Sequence, residues 1–157
     1  NLTYESRKRY SQLKNELEAN AFTILENTVV YGDNGLLYQQ NIIPYKGSLI
    51  GILEKGVEGS KVCYFNDNNF LRTGWIRNTD YSTDVNFVEL TQGFIYDAVV
   101  YEFDGEKPRK IFDSCSSQVR ILEKKPGWVY INAVDRIFGW VEEGEIKFGF
   151  PVGANLN

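Results

Sequence analysis

Val119-Arg-Ile-Leu-Glu-Lys-Lys-Pro-Gly-Trp-Val-Tyr-Ile131, with Gly139-Trp-Val141 shortly after it, decides the fold. A β-branched run ends in a Lys-Pro-Gly turn, and a second run starts at once on Trp128. Alternation then puts Val129 and Ile131 on one face and Trp128 and Tyr130 on the other. A third run opens on Gly139-Trp140. Short runs joined by tight turns, each with one apolar face, make a β-meander.

The same phrase stands earlier in the chain. Val29-Val30-Tyr31, Ile52-Leu53-Glu54-Lys55, Tyr64-Phe65-Asn66 and Gly74-Trp75-Ile76 return as Val99-Val100-Tyr101, Ile121-Leu122-Glu123-Lys124, Tyr130-Ile131-Asn132 and Gly139-Trp140-Val141. The offsets are 70, 69, 66 and 65 residues and drift one way, as in a duplicated unit with shorter loops in its second copy. On this alignment Cys63 and Phe65 take the Val129 and Ile131 positions, and Val62 takes that of Trp128. Strands are expected near 28–31, 48–54, 61–66 and 73–77, and again near 98–103, 118–123, 127–132 and 137–142, with a short closing strand near 145–148. Long loops are expected at 32–47 and 104–117. The connector, 80–97, contains Phe87-Val-Glu-Leu90, a candidate to close the first unit.

Upstream, residues 4–20 carry Tyr10, Leu13 and Leu17 at helical spacing. They are expected to form an amphipathic helix that packs one stripe on the first β unit, with service as a stalk or partner helix as the alternative. The organisation expected is a helical leader over 1–27, one small barrel over 28–90, and a second over 91–157 ending in a tail from Gly149.

Composition narrows the chemistry. The 157 residues carry a net charge of −4, all of it on 81–157, and no basic stripe. Nucleic-acid binding through phosphates and anchoring to anionic lipid are therefore not expected. No apolar run approaches a membrane span, so direct membrane insertion is not expected either. There is no His, which removes His-assisted nucleophiles and the commonest metal ligand. Cys63 reads as a small core residue. A Cys63–Cys115 bridge would have to join the two copies. The acidic clusters Asp104-Gly105-Glu106 and Glu142-Glu143-Gly144-Glu145 read as solvated turns. No cofactor and no metal are expected. The sequence starts at Asn1 and has no Met, from which a processed, exported protein is expected.

First strand, long loop, three-strand meander and short closing strand resemble the plan of a bacterial SH3-type domain. The Gly127-Trp128 and Gly139-Trp140 dipeptides carry the likeness best; the first copy keeps Gly74-Trp75 but has Lys61-Val62 at the other position. The resemblance implies an all-β protein: two tandem SH3-like small barrels with an N-terminal α-helix. The Gly-Trp pairs also resemble cell-wall-anchoring GW modules, which are typically basic where this chain is acidic. Ala98-Val-Val-Tyr-Glu-Phe-Asp-Gly-Glu106 is similar to the opening of eukaryotic SH3 domains, which bind proline-rich helices in aromatic grooves. The Pro-Ser-Asn-Tyr stretch of those domains is missing, so that groove would lack a wall.

By resemblance, the ligand-binding residues are Tyr101 and Phe103 on one side and Trp128 on the other, with Tyr130 beside it on the same face. Packing against the connector or the other barrel is the alternative role for these rings. Trp75 and Trp140, present in both copies, read as scaffold. The function expected is that of a non-catalytic binding or adaptor module of a bacterial exported or envelope protein, in the periplasm, on the cell surface or as a lipoprotein. It would take a peptide, a peptidoglycan fragment or a protein partner, mainly through the second barrel. The alternative is a structural interaction domain of an envelope complex with no small ligand.

Overall fold

A computed structural model describes residues 4–13, 15–86, 88–133 and 137–150. One helix, α1 (Tyr4–Leu13), precedes eleven strands among these residues: β1 (Ala19–Thr23), β2 (Thr28–Tyr31), β3 (Gln39–Ile43), β4 (Leu49–Lys55), β5 (Gly59–Phe65), β6 (Leu71–Arg77), β7 (Tyr81–Ser82), β8 (Gln92–Asp104), β9 (Lys107–Lys125), β10 (Trp128–Ala133) and β11 (Ile137–Glu142). The protein is all-β with an N-terminal helix. The first seven strands form one curled sheet in the order β3-β2-β6-β5-β4-β1-β7, and the last four close a barrel in the order β10-β11-β8-β9.

The duplication is visible in the strand pairing. Ile52 faces Val62 and Glu54 faces Lys61 in the first copy; Ile121 faces Ile131 and Glu123 faces Tyr130 in the second. A bulge passes over Leu53 in one and Leu122 in the other. Tyr31 faces Trp75 as Tyr101 faces Trp140. The offset therefore stays at 69 residues through both β4/β9 and β5/β10. The shortening expected between these strands falls instead at the tip of the following hairpin. The match of Tyr64-Phe65-Asn66 to Tyr130-Ile131-Asn132 is thus a coincidence of letters. By register Val62 stands for Ile131, Cys63 for Asn132, and Gly59 for Trp128.

This changes what buries Cys63. Val62 points into the core of the first sheet with Val30, Ile50, Ile52 and Ile76. Cys63 points the other way, into a cluster with Tyr10 and Leu13 of α1. It is buried as expected, but beneath the helix rather than inside a barrel.

The helix ends at Leu13, not at residue 20 as its spacing predicts. Ala19–Phe22 pair with Ile52–Leu49, and the Glu18 N–H donates to the Ile52 carbonyl at 2.7 Å. The free edge of β4 recruits this segment, so tertiary pairing overrides helical propensity. Leu17 still packs on the same cluster, so the apolar stripe was read correctly and its conformation was not. Ser6 ties the helix to the β5–β6 turn: its hydroxyl donates to the Asn69 carbonyl and accepts from the Leu71 N–H at 3.0 Å.

Both expected long loops contain strand. In the first, β3 pairs with β2. In the second, Asp104 faces Lys107 across a two-residue turn with Gly105 at φ +66°, and β8 and β9 run on as one long ribbon. Gly at the first of two turn residues is a hairpin signal, and the polar residues of 107–114 suit a ribbon open to solvent.

The expected closing strand near 145–148 is reduced to Glu143–Glu145 as a 3₁₀ turn and a bridge between Lys147 and Phe94. Phe150 is 2% exposed rather than part of a tail, and its N–H donates to Asn20 Oδ1 at 2.7 Å. In the connector, Leu90 is fully buried but lies outside any strand. Phe87, the 134–136 hairpin tip and the tail from 151 onward lie outside the described residues.

Three apolar clusters divide the interior. One fills the first sheet and one fills the barrel, where Ile95, Val100, Val119, Val129, Ile131 and Val141 meet. The third lies between them and draws on both: Tyr10, Phe22, Leu49 and Phe65 from one side, Leu90, Phe94 and Phe150 from the other.

Of the three Gly-Trp glycines, Gly74 and Gly139 are held by close approach, whereas a Cβ on Gly127 would meet nothing. A Cβ on Gly74 would collide with Val30, and one on Gly139 with Val100. Gly74→Ala and Gly139→Ala should each destabilise by about 1–3 kcal/mol through overpacking. Gly144→Ala, where a Cβ meets nothing, should stay within about 0.5 kcal/mol of the parent. Urea unfolding at constant slope checks all three.

Candidate functional site

The barrel core takes alternate residues of its strands and leaves the others facing outward. On β10 the outward set is Trp128, Tyr130 and Asn132; on β11 it includes Trp140. Tyr130 faces Trp140, and Trp140 faces Tyr101 on β8, so three rings line up across three adjacent strands. Phe103 lies two residues beyond Tyr101 on the same face of β8, on the strand expected over 98–103.

The rings form one continuous patch. Tyr101 and Phe103 meet Trp128 nearly perpendicularly, with centroids 5.3 and 4.9 Å apart. Phe103 also meets Trp140 edge-on at 5.8 Å, and Tyr130 lies tilted against Trp140 at 5.1 Å. Each of the five is half-buried. Lys125, at the end of β9, holds its Nζ 3.4 Å from the centre of the Phe103 ring and 4.5 Å from that of Trp140. The four residues singled out from the sequence, Tyr101, Phe103, Trp128 and Tyr130, are thus brought together.

Trp140 and Lys125 join them, and sequence reasoning missed both. Trp140 was set aside as scaffold because it repeats. The signal was present, since Val141 alternates with Trp140 and an inward Val141 requires an outward Trp140.

The first copy arranges the same face differently. Tyr31 and Trp75 stand for Tyr101 and Trp140, but Lys61 and Gly59 stand for Tyr130 and Trp128. Leu36, from the β2–β3 loop, packs close over Gly59 and is itself buried. Arg77 lies over the Tyr31 ring at 5.4 Å and donates from Nη2 to its hydroxyl at 3.1 Å. The first copy therefore covers with its own loop the place that the second fills with a half-exposed indole.

The other candidate groups are placed plainly. Cys63 and Cys115 are free and buried, in different clusters. Burial pushes the Cys63 thiol up to about 12 and also raises that of Cys115, away from the low values that reactive thiols need. The acidic residues 104–106 and 142–145 are exposed on turns and strand ends. The described residues contain no group of three or more acidic or Cys side chains placed to hold a metal ion, and no helix among them is long and apolar enough to cross a membrane.

No family model matches the chain, and no curated protein matches it. Among solved structures it is similar to a NlpC/P60 family protein from Bacillus cereus, with 11% identity and a TM-score of 0.39 over 82% of this chain and 56% of that one. The chain thus spans little more than half the length of that protein, and the likeness is too slight to assign a function.

Proposed function

We propose that this chain is a non-catalytic binding module of a bacterial exported or envelope protein, two SH3-like units in tandem, with its ligand lying on the aromatic face of the closed barrel. The observation that carries this reading is the five-ring patch of Tyr101, Phe103, Trp128, Tyr130 and Trp140. The barrel does not need these rings inside, because Val100, Val129, Ile131 and Val141 already fill its core. A patch of large rings left half-exposed marks a place where something else packs. Rings of this kind stack on peptide planes, apolar side chains and sugar faces, which suits a peptide, a cell-wall fragment or a segment of a partner protein. Lys125 lies over the patch and would swing aside as a ligand enters, or stay as one wall. The buried thiols with raised pKa and the lack of His favour binding over catalysis.

One observation favours a second reading, a structural interaction domain with no small ligand. Leu37, Tyr38 and Ile42 are exposed in and just before the edge strand β3, a surface that fits a protein partner. Titration of soluble muropeptides and of a peptide library, followed by tryptophan fluorescence, separates the two. A saturable change supports the aromatic-face module. A flat signal with every ligand, together with a protein captured through the β3 edge, supports the structural domain.

A further inference from the structure

The repeat leaves one face covered in the first copy and polar in the second. On the outer side of the first sheet, Leu49, Gly51 and Cys63 lie beneath α1 and Leu17. The register puts Gln118, Arg120 and Asn132 in their places. Among the described residues no helix covers these three; instead they line a cavity of about 240 Å³ with Tyr45 and Asp67. Arg120 and Asp67 also line an adjoining cavity of about 250 Å³, whose wall includes Asn41, Asn68 and Tyr64.

Arg120 stands where the two cavities meet. Its side chain is only 17% exposed, yet its polar partners among the described residues are few and long. Nη1 donates to the Thr91 hydroxyl at 3.3 Å, and Nη2 lies 4.0 Å from Asp67 Oδ1. The guanidinium stacks on the Tyr45 ring at 4.1 Å. Burial lowers its pKa, and Asp67 opposes that shift. A guanidinium carries five N–H donors in a planar fork. A mostly buried one with a single long hydrogen bond and one loose ion pair is poorly satisfied, and a planar anion would correct that.

We infer that these two adjoining cavities bind the terminal carboxylate of a short peptide, with Arg120 as the anchor. The surroundings select that class. Asn41, Asn68 and Gln118 offer amides that match the amides of a peptide. Asp67 disfavours a doubly charged phosphate more than a singly charged carboxylate. Cavities of this size take a few residues rather than a folded partner. The site lies apart from the five aromatic rings and does not depend on their role.

The test uses the whole chain and N-acetyl-alanyl-alanine as the probe, with its C-terminal amide as the control. Binding is followed by two-dimensional NMR, including the Arg120 Nε–H and the tryptophan indole signals. The expected result is saturable binding of the acid that moves Arg120 and leaves the Trp128 and Trp140 indoles in place. The amide and Arg120→Gln should each bind about tenfold more weakly or worse. Asp67 is 68% exposed, so Asp67→Asn should fold normally, and it should bind the acid about threefold more tightly because a competing charge is gone. The proposal is overturned if acid and amide bind alike, if neither the parent nor Asp67→Asn binds the acid, or if the acid moves the indoles instead of Arg120.

Discussion

Phe94→Ala should lower the stability of the whole chain by about 3–5 kcal/mol, the range for deleting a phenyl ring from a core that cannot collapse around the gap. Phe94 is 1% exposed. Its ring meets Phe65 edge-on at 5.4 Å and Phe150 at 5.9 Å, and lies parallel to Tyr96 at 6.4 Å. Its backbone is fixed as well, since its N–H donates to the Lys147 carbonyl at 2.9 Å and its carbonyl accepts from the Lys147 N–H at 2.8 Å. The register makes Phe94 the counterpart of Phe22, and both rings enter the cluster between the sheet and the barrel. Polar ties cross the same boundary: Gln92 Oε1 accepts from the Leu49 N–H at 2.9 Å, and the Thr91 hydroxyl donates to the Lys46 carbonyl at 2.7 Å. Against a usual total of about 5–15 kcal/mol, such a loss leaves little reserve. Urea unfolding measures it, with Val57→Ala, at a residue 99% exposed, as the neutral reference. A loss under 1 kcal/mol for Phe94→Ala would mean that the two units do not share this core.

Trp128→Ala should have the largest effect on binding, about 30-fold or more in affinity, as expected when a central aromatic anchor of about 2 kcal/mol is removed. It touches both Tyr101 and Phe103, so its loss opens the patch in the middle. The barrel should survive, because Trp128 lies outside the cluster that fills it. Each lost ring pair is worth about 0.5–1.5 kcal/mol, which gives a modest fall in stability. Trp75→Ala, in the first copy, should leave affinity unchanged. Thermal melting beside a ligand titration tells the cases apart. If Trp128→Ala unfolds the chain, the indole serves the barrel; if it binds as well as the parent, the ligand lies elsewhere.

The strands that carry the repeat were legible because period-two alternation and turn residues agree there. β2, β4, β5, β6, β10 and β11 fall within two residues of their expected ends. Legibility failed where pairing partners, not local pattern, decide the structure. Ala19 and Asn20 read as the end of a helix, and Ala19–Thr23 becomes a strand because β4 has an edge to fill. The ribbon of β8 and β9 was hidden by the polar run Lys107–Ser114, whose strand form depends on β8 alone. The four rings that meet on the barrel face were named through alternation and resemblance. Trp140 and Arg120 were not. Trp140 repeats, which suggested scaffold, and Arg120 gains its meaning only from the register, which sets it against Gly51.

That register also alters where the two copies differ. Letter matching sets Trp128 against Val62, whereas strand pairing sets it against Gly59, with Leu36 packed over the glycine. The first copy closes the place itself, which is the strongest reason to seek the ligand on the second.

The three tryptophans make the central claim directly measurable. Each gives one indole N–H signal, and Trp75 is a control from the other copy. Titration of soluble muropeptides into the ¹⁵N-labelled chain should move the Trp128 and Trp140 signals together and saturably, while Trp75 stays still. A ligand that binds and moves only Trp75, or none of the three, would contradict a binding site on the aromatic face of the barrel.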